Sequence, residues 1–125
     1  MYGCRLTQRE RINLFDQQEL TKINQTIQPL VQTDSLNVFE ELTTSRRKEK
    51  LGDILYIRLY GSKNLPADNN QAEALAKKAC NLIFSQIPSP GKYGLWKIQF
   101  AAKHAEEETR LQKVFNFIPS ELNNP

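Results

Sequence analysis

The sequence contains few of the residues that carry metal or nucleophilic chemistry. It has one histidine, His104, and two cysteines, Cys4 and Cys80, among 125 residues. A zinc site needs several Cys or His ligands at close spacing, so this composition predicts none. The five glycines are scattered, whereas a phosphate cradle needs glycines clustered ahead of a helix. We therefore expect neither a metal ion nor a cofactor.

Long apolar segments are also missing. The longest runs, such as residues 54–57 and 82–84, fall far short of the roughly 20 residues of a transmembrane helix. The first residues lack the apolar stretch of an export signal, so the default expectation is a cytoplasmic protein. The pair Gly3-Cys4 matches the end of a bacterial lipoprotein cleavage box. The alternative is therefore an envelope lipoprotein whose true start lies upstream of these residues.

What is present is ordinary globular composition. Hydrophobic residues make up 39% of the chain and charged residues 25%, which supplies enough apolar surface for a core. The length of 125 residues is typical of one domain, so we predict a single domain over residues 1–125. The net charge of +3 is mild and selects no class of partner.

Two segments show helical periodicity. Apolar residues recur at the helical spacing from Ile12 to Val31, and Thr7 with Glu10 matches the capping-box spacing. These features predict an amphipathic helix over residues 7–32, ending or kinking at Pro29. A continuous apolar stripe predicts a second helix over residues 72–87. The stripe consists of Ala72, Leu75, Ala76, Ala79, Leu82, Ile83 and Ile87.

Strand-like alternation covers most of the remaining chain. It predicts strands over residues 36–43, 54–60, 96–100 and 109–118, which form two hairpins around the second helix. The predicted core is this hairpin–helix–hairpin unit, residues 36–118, followed by a frayed tail over 119–125. The order α-ββ-α-ββ predicts an α+β fold: a four-stranded, mostly antiparallel sheet with the helices packed on one face.

The opposite face of that sheet is the predicted binding surface. We expect it to be exposed and to lie near a basic hairpin tip, and it comprises Arg46, Arg47, Lys48, Tyr56, Arg58, Tyr60, Lys97 and Gln99. Such a surface suits contact with another protein, or with a second copy of the chain. The first helix is the alternative contact surface.

Three functions follow from these residues. The leading hypothesis is a non-enzymatic protein-binding or assembly module, because no catalytic constellation is present. The alternative is a nucleic-acid-binding domain, in which the tyrosines stack on bases and the basic cluster of Arg46, Arg47 and Lys48 neutralises phosphates. The third is a small hydrolase in which His104, beside Glu106, acts as a general base.

The C-terminal two fifths of the chain, residues 72–117, resembles small uncharacterised bacterial proteins, some of them envelope lipoproteins. The resemblance is carried by the helix motif Ala-Leu-Ala-Lys-Lys-Ala at residues 74–79, the loop Pro-Ser-Pro-Gly-Lys-Tyr at 88–93 and the alternating strand at 96–100. It implies an accessory, protein-contacting role in bacteria. It implies no catalytic residue.

Overall fold

The described part of the chain contains two helices and five strands. The computed structural model describes residues 9–43, 53–102 and 111–122. Within them the elements follow in this order: β1 (Arg9–Asn13), α1 (Gln17–Val31), β2 (Ser35–Thr43), β3 (Asp53–Tyr60), α2 (Asn69–Ile83), β4 (Tyr93–Ala101) and β5 (Leu111–Phe117). Short 3₁₀ turns follow α2, precede β4 and close the described chain.

All five strands form one mixed sheet in the order β1-β2-β3-β4-β5. The pairs β1–β2, β2–β3 and β4–β5 are antiparallel, and β3–β4 is parallel. The α+β class and both predicted hairpins are confirmed. The predicted count of four strands is wrong, because β1 adds a fifth strand at the edge beside β2. The parallel pair arises because α2 carries the chain back to the end at which β3 began.

The predicted helix over residues 7–32 is wrong at its start. Residues 9–13 form β1, in which Ile12 lies opposite Glu40 of β2. Helix α1 begins later, where Asp16 and Glu19 form a capping box: the Glu19 amide donates to Asp16 Oδ1 at 2.8 Å and the Asp16 amide donates to Glu19 Oε1 at 2.9 Å. Ile12 has the spacing of a helical residue, but pairing with β2 places it in a strand.

The end of α1 agrees with the predicted bound at residue 32, although the helix does not stop at Pro29. The helix runs past Pro29 to Val31 and ends at Gln32, whose φ of 52° lies in the left-handed region. Its last carbonyls find partners on the loop after β3, since Ser62 Oγ donates to the Val31 carbonyl at 2.6 Å and Asn64 Nδ2 donates to the Leu30 carbonyl at 2.7 Å. These bonds stabilise the final turn, where the proline costs one backbone hydrogen bond.

Helix α2 agrees closely with its predicted pattern. Asp68 is its N-cap and accepts a hydrogen bond from the Gln71 amide at 2.9 Å. The small residues Ala72, Ala76 and Ala79 are buried, as the apolar stripe predicts. Leu82, assigned to the same stripe, is instead 47% exposed. The helix ends at Ile83, and a 3₁₀ turn carries the chain towards Pro88.

Both helices pack on the same face of the sheet and enclose the core. Side chains from α1, α2 and four strands form one apolar cluster. Its largest fully buried members are Trp96, Phe100, Ile27, Leu55, Ile57, Leu59, Ile83 and Ile98. The tail extends this cluster, because Leu122 is only 4% exposed and a 3₁₀ turn over residues 119–121 leads to it. The predicted fraying is therefore wrong for residues 119–122, and residues 123–125 lie outside the described range.

Candidate functional site

The face of the sheet opposite the two helices, here called the distal face, carries the described part of the predicted surface. Residues paired directly across neighbouring strands project to the same side of a sheet. Tyr56 lies opposite Lys97, Arg58 lies opposite Gln99, and Tyr60 lies opposite Ala101. The structure thus brings five predicted residues onto one face: Tyr56, Arg58, Tyr60, Lys97 and Gln99. Their predicted position away from the helices is confirmed.

Their predicted exposure is wrong for two of the five. Arg58 is 8% exposed and Gln99 is 6% exposed, whereas Tyr56, Tyr60 and Lys97 are half-buried. The two buried side chains are in direct contact: Arg58 Nε donates a hydrogen bond to Gln99 Oε1 at 2.8 Å. A cationic group loses hydration when it is buried, and a charge-assisted hydrogen bond compensates for part of that loss.

An aromatic pair lies beside this polar pair. Phe39 of β2 is directly opposite Tyr56, and their rings stack with centroids 5.0 Å apart and planes 2° from parallel. The Arg58 guanidinium carbon lies 5.1 Å from the Phe39 ring centroid, within cation–π range. We call Phe39, Tyr56, Arg58 and Gln99 the distal cluster. It joins three neighbouring strands by side-chain contacts.

Phe39 is the member of the distal cluster that the predicted surface left out. It is completely buried, although its face of the sheet is not the one that the helices cover. The strand alternation already separates Phe39 from Leu36 and Val38. A large aromatic residue on the polar side of a predicted strand was the signal that marked this position.

Strand β5 completes the distal face on one side. Val114 lies opposite Gln99, and Leu111 lies opposite Ala101. These two apolar side chains are 40% and 42% exposed, respectively. The distal face therefore combines a packed centre with an accessible apolar margin along β5.

A second polar contact lies on the helix side of the sheet. Glu40 is only 8% exposed and occupies the same side as Val38, since its partner across the ladder is Leu55. Its Oε2 accepts a hydrogen bond from the Tyr93 hydroxyl at 3.0 Å, and the Lys92 ammonium lies 3.6 Å away. The carboxylate therefore has both a hydrogen-bond donor and a positive charge within reach.

A bulge in β4 places Tyr93 where it meets Glu40. Tyr93 pairs with Asp53 and Leu95 pairs with Ile54, so Gly94 is an extra residue in the ladder. The extra residue reverses the alternation and turns Tyr93 towards the helices. The sequence analysis did not single out Glu40, because the alternation of β2 places it on the apolar side of the strand, where a carboxylate is not expected. Its spacing of two from Val38 was the available signal.

Cys80 is unreactive in this environment. It is a free cysteine, 1% exposed among the apolar side chains of the core. Burial raises the pKa of the Cys80 thiol far above its ordinary value, because the thiolate would lose its hydration. The thiol therefore stays protonated at neutral pH and is a poor nucleophile.

Several predicted residues lie outside the described part of the chain. They are Arg46, Arg47, Lys48, His104, Glu106 and Cys4. The nucleic-acid and hydrolase hypotheses depend on them and stay predictions.

Within residues 9–43, 53–102 and 111–122, no group of three or more metal-ligating side chains is found. The helices of the same ranges include none long and apolar enough to cross a bilayer.

No protein-family model, no curated protein and no solved structure matches this chain. The fold itself defines the class as a small α+β domain with a five-stranded mixed sheet and two helices on one face. The resemblance of residues 72–117 to small bacterial proteins stays a prediction.

Proposed function

We propose that this protein is a non-enzymatic binding or assembly module that contacts another protein through the distal face. The observation that carries this proposal is the distal cluster, in which an arginine, an amide and two aromatic rings are held together across three strands. Tyrosine and arginine are among the residues most enriched at the energetic centres of protein interfaces. In this cluster the buried Arg58, Gln99 and Phe39 hold the half-buried Tyr56 in place, and Tyr56 is the member that a partner can contact.

The cluster is already ordered in the absence of a partner. Fixing a long, flexible side chain on binding costs conformational entropy, and this cost is lower when contacts within the protein already hold that side chain. Arg58 is held by Gln99 and by the Phe39 ring. It is also largely dehydrated by folding, so a partner packed against it removes little further water. The half-buried Tyr56 and Lys97 supply the accessible contact area.

The same contacts favour a protein over a nucleic acid as the partner. The Tyr56 ring already stacks on Phe39, which occupies one of the two ring faces on which a base would stack. The Arg58 guanidinium is engaged by Gln99 and Phe39, so it offers less to a phosphate than an exposed arginine does. Nucleic-acid binding is the competing outcome in the experiment below.

Site-directed photo-crosslinking tests the proposal. A photoreactive phenylalanine analogue replaces Lys97 on the distal face or, as the matched control, exposed Lys78 on α2. Irradiation in cells of the native host should crosslink one defined protein from position 97 and not from position 78. That protein is identified by mass spectrometry, purified and titrated with wild-type chain, Tyr56→Ala, Lys97→Glu and Lys78→Glu.

The proposal predicts that Tyr56→Ala and Lys97→Glu each weaken the partner's affinity by about tenfold or more, since truncation at an interface centre typically costs at least about 1.4 kcal/mol. Lys78→Glu should change affinity less than about twofold. Equal affinities for all four proteins would contradict the proposal. So would crosslinking from position 78 alone, or binding of labelled single-stranded RNA that weakens steeply with salt in the absence of any protein partner.

A further inference from the structure

The outer edge of β5 has the properties of a pairing site. Strand β5 ends the strand order, and within the described residues its outer edge pairs with no other strand. In an antiparallel sheet, alternate residues of an edge strand direct their backbone N–H and C=O groups away from the neighbouring strand. These groups form a template for a further strand, and proteins usually protect such edges with charges, proline or short length.

The two edges of this sheet differ in that protection. Strand β1 has five residues, Arg-Glu-Arg-Ile-Asn, of which three are charged. Strand β5 has seven residues, Leu-Gln-Lys-Val-Phe-Asn-Phe, with no proline and one charge. That charge is held within the chain, because Lys113 Nζ donates to Asn69 Oδ1 at 2.5 Å and to the Ala67 carbonyl at 3.2 Å. The edge of β5 therefore has no proline and its single charge is bound within the chain, and the one irregularity in its described ladder is a bulge at Gln112, near the start of the strand.

We propose that β5 pairs antiparallel with β5 of a second copy of this chain, so that the two five-stranded sheets become continuous across a two-fold axis. Val114 is the middle residue of β5, and complete overlap of the two strands places Val114 opposite Val114 of the other copy. The same register places Lys113 opposite Phe115, and it brings Gln112, the residue at the bulge of β5, close to Asn116 of the other copy.

Charge and exposure favour a second copy as the occupant. In this register the single lysine meets an aromatic ring and not another lysine, so no like charges face each other. The two exposed amide side chains, Gln112 and Asn116, can exchange hydrogen bonds between the copies. Val114 and Leu111, which are 40% and 42% exposed, would cover apolar surface of the other copy along the distal face. This inference uses the sheet edge and does not rest on the proposed function.

Sedimentation equilibrium with charge-swapped variants tests the inference. Wild-type mass should rise with concentration from 14.4 kDa towards twice that value. Val114→Lys and Val114→Glu should each weaken self-association by about tenfold or more, because each places like charges opposite one another at the centre of the pairing. An equimolar mixture of the two variants should dimerise again, since lysine then faces glutamate. Leu82→Lys, an equally exposed position on α2, should dimerise like wild type.

Other results would overturn the inference. These are a wild-type chain that stays monomeric up to millimolar concentration, variants that dimerise like wild type, or folded variants whose mixture stays monomeric. Circular dichroism checks folding. If Val114→Lys does not fold, Leu111→Lys is used in its place and should also weaken the dimer. A Leu111→Lys dimer as stable as that of wild type would contradict the pairing. Tyr56→Ala alters the distal cluster and should leave the mass of the dimer unchanged. Loss of partner binding and loss of self-association can therefore be told apart.

Discussion

Among the described side chains, one charged group is buried on each face of the sheet, Glu40 on the helix side and Arg58 on the distal face, and the contacts seen around them differ. On the helix side, Glu40 lies at the margin of a large apolar cluster and is balanced by the Tyr93 hydroxyl and the Lys92 ammonium. On the distal face, Arg58 donates a hydrogen bond to the neutral amide oxygen of Gln99 and lies against the Phe39 ring.

The two faces therefore differ in the kind of contact that orders their side chains. The helix side derives its stability from apolar area removed from water by α1 and α2, together with contacts such as the Glu40–Tyr93 hydrogen bond. The distal face shows a few directional contacts between neighbouring strands. The first arrangement supplies stability, and the second is the one to which we assign the proposed binding role.

The largest effect is expected from Trp96 on the helix side. Its indole is fully buried, stacks on Phe84 with centroids 5.3 Å apart and donates to the Pro90 carbonyl at 3.3 Å. Trp96→Ala should lower the free energy of unfolding by about 3–5 kcal/mol, as truncation of buried aromatic residues does. Tyr56→Ala, on the half-buried distal side, should cost less than about 2 kcal/mol. Urea unfolding measures both, and equal losses would show that the two faces contribute alike.

The next effect concerns the buried carboxylate. Glu40→Ala removes the acceptor of the Tyr93 hydroxyl and the partner of Lys92, and it should lower the free energy of unfolding by about 2–3 kcal/mol. Glu73→Ala, at an exposed position of α2, is the control and should change stability by less than about 0.5 kcal/mol. A double-mutant cycle with Tyr93→Phe should give a coupling of at least about 0.5 kcal/mol. Full additivity would contradict the hydrogen bond.

A smaller effect is expected from the buried cation of the distal face. Arg58→Ala removes the hydrogen bond to Gln99 and the cation–π contact with Phe39, among other contacts, and it should lower the free energy of unfolding by about 1–2 kcal/mol. Arg58→Lys retains the charge and loses the planar donor, so it should recover only part of this difference. Thermal unfolding of both variants shows whether the planar shape of the guanidinium or its positive charge stabilises the fold. Equal stability of Arg58→Lys and wild type would mean that charge alone matters there.

The smallest effect concerns the dependence of stability on pH. Burial raises the pKa of the Cys80 thiol in the folded chain, so above the ordinary thiol pKa only the unfolded chain loses this proton. The contribution of the protonated Cys80 thiol to the free energy of unfolding is complete below that ordinary pKa. It decreases as the pH rises, and about 0.8 kcal/mol of it is lost by pH 9. Urea unfolding from pH 7 to 9 should show this additional decrease in wild type and not in Cys80→Ala. Parallel pH profiles of the two proteins would contradict the assignment.

Elements with strong local signals could be predicted from the sequence alone. The apolar stripe and the capping residue Asp68 indicate α2, and the alternation around Val38 and Ile57 indicates the β2–β3 hairpin. The side of the sheet on which Tyr56 and Lys97 lie also follows from alternation. These features depend on residues close in sequence, whose spacing is set by the geometry of a helix or a strand.

Tertiary structure alone decided the rest. Residues 9–13 became a strand because an edge of β2 was available, and Tyr93 turned inwards because of the bulge at Gly94. Arg58 and Gln99 are 41 positions apart, and only the parallel pairing of β3 with β4 places them in contact and buries both. The sequence by itself determined which residues alternate and which form helices. Partners distant in the chain determined which polar side chains are buried, because no local spacing records where a neighbouring strand will lie.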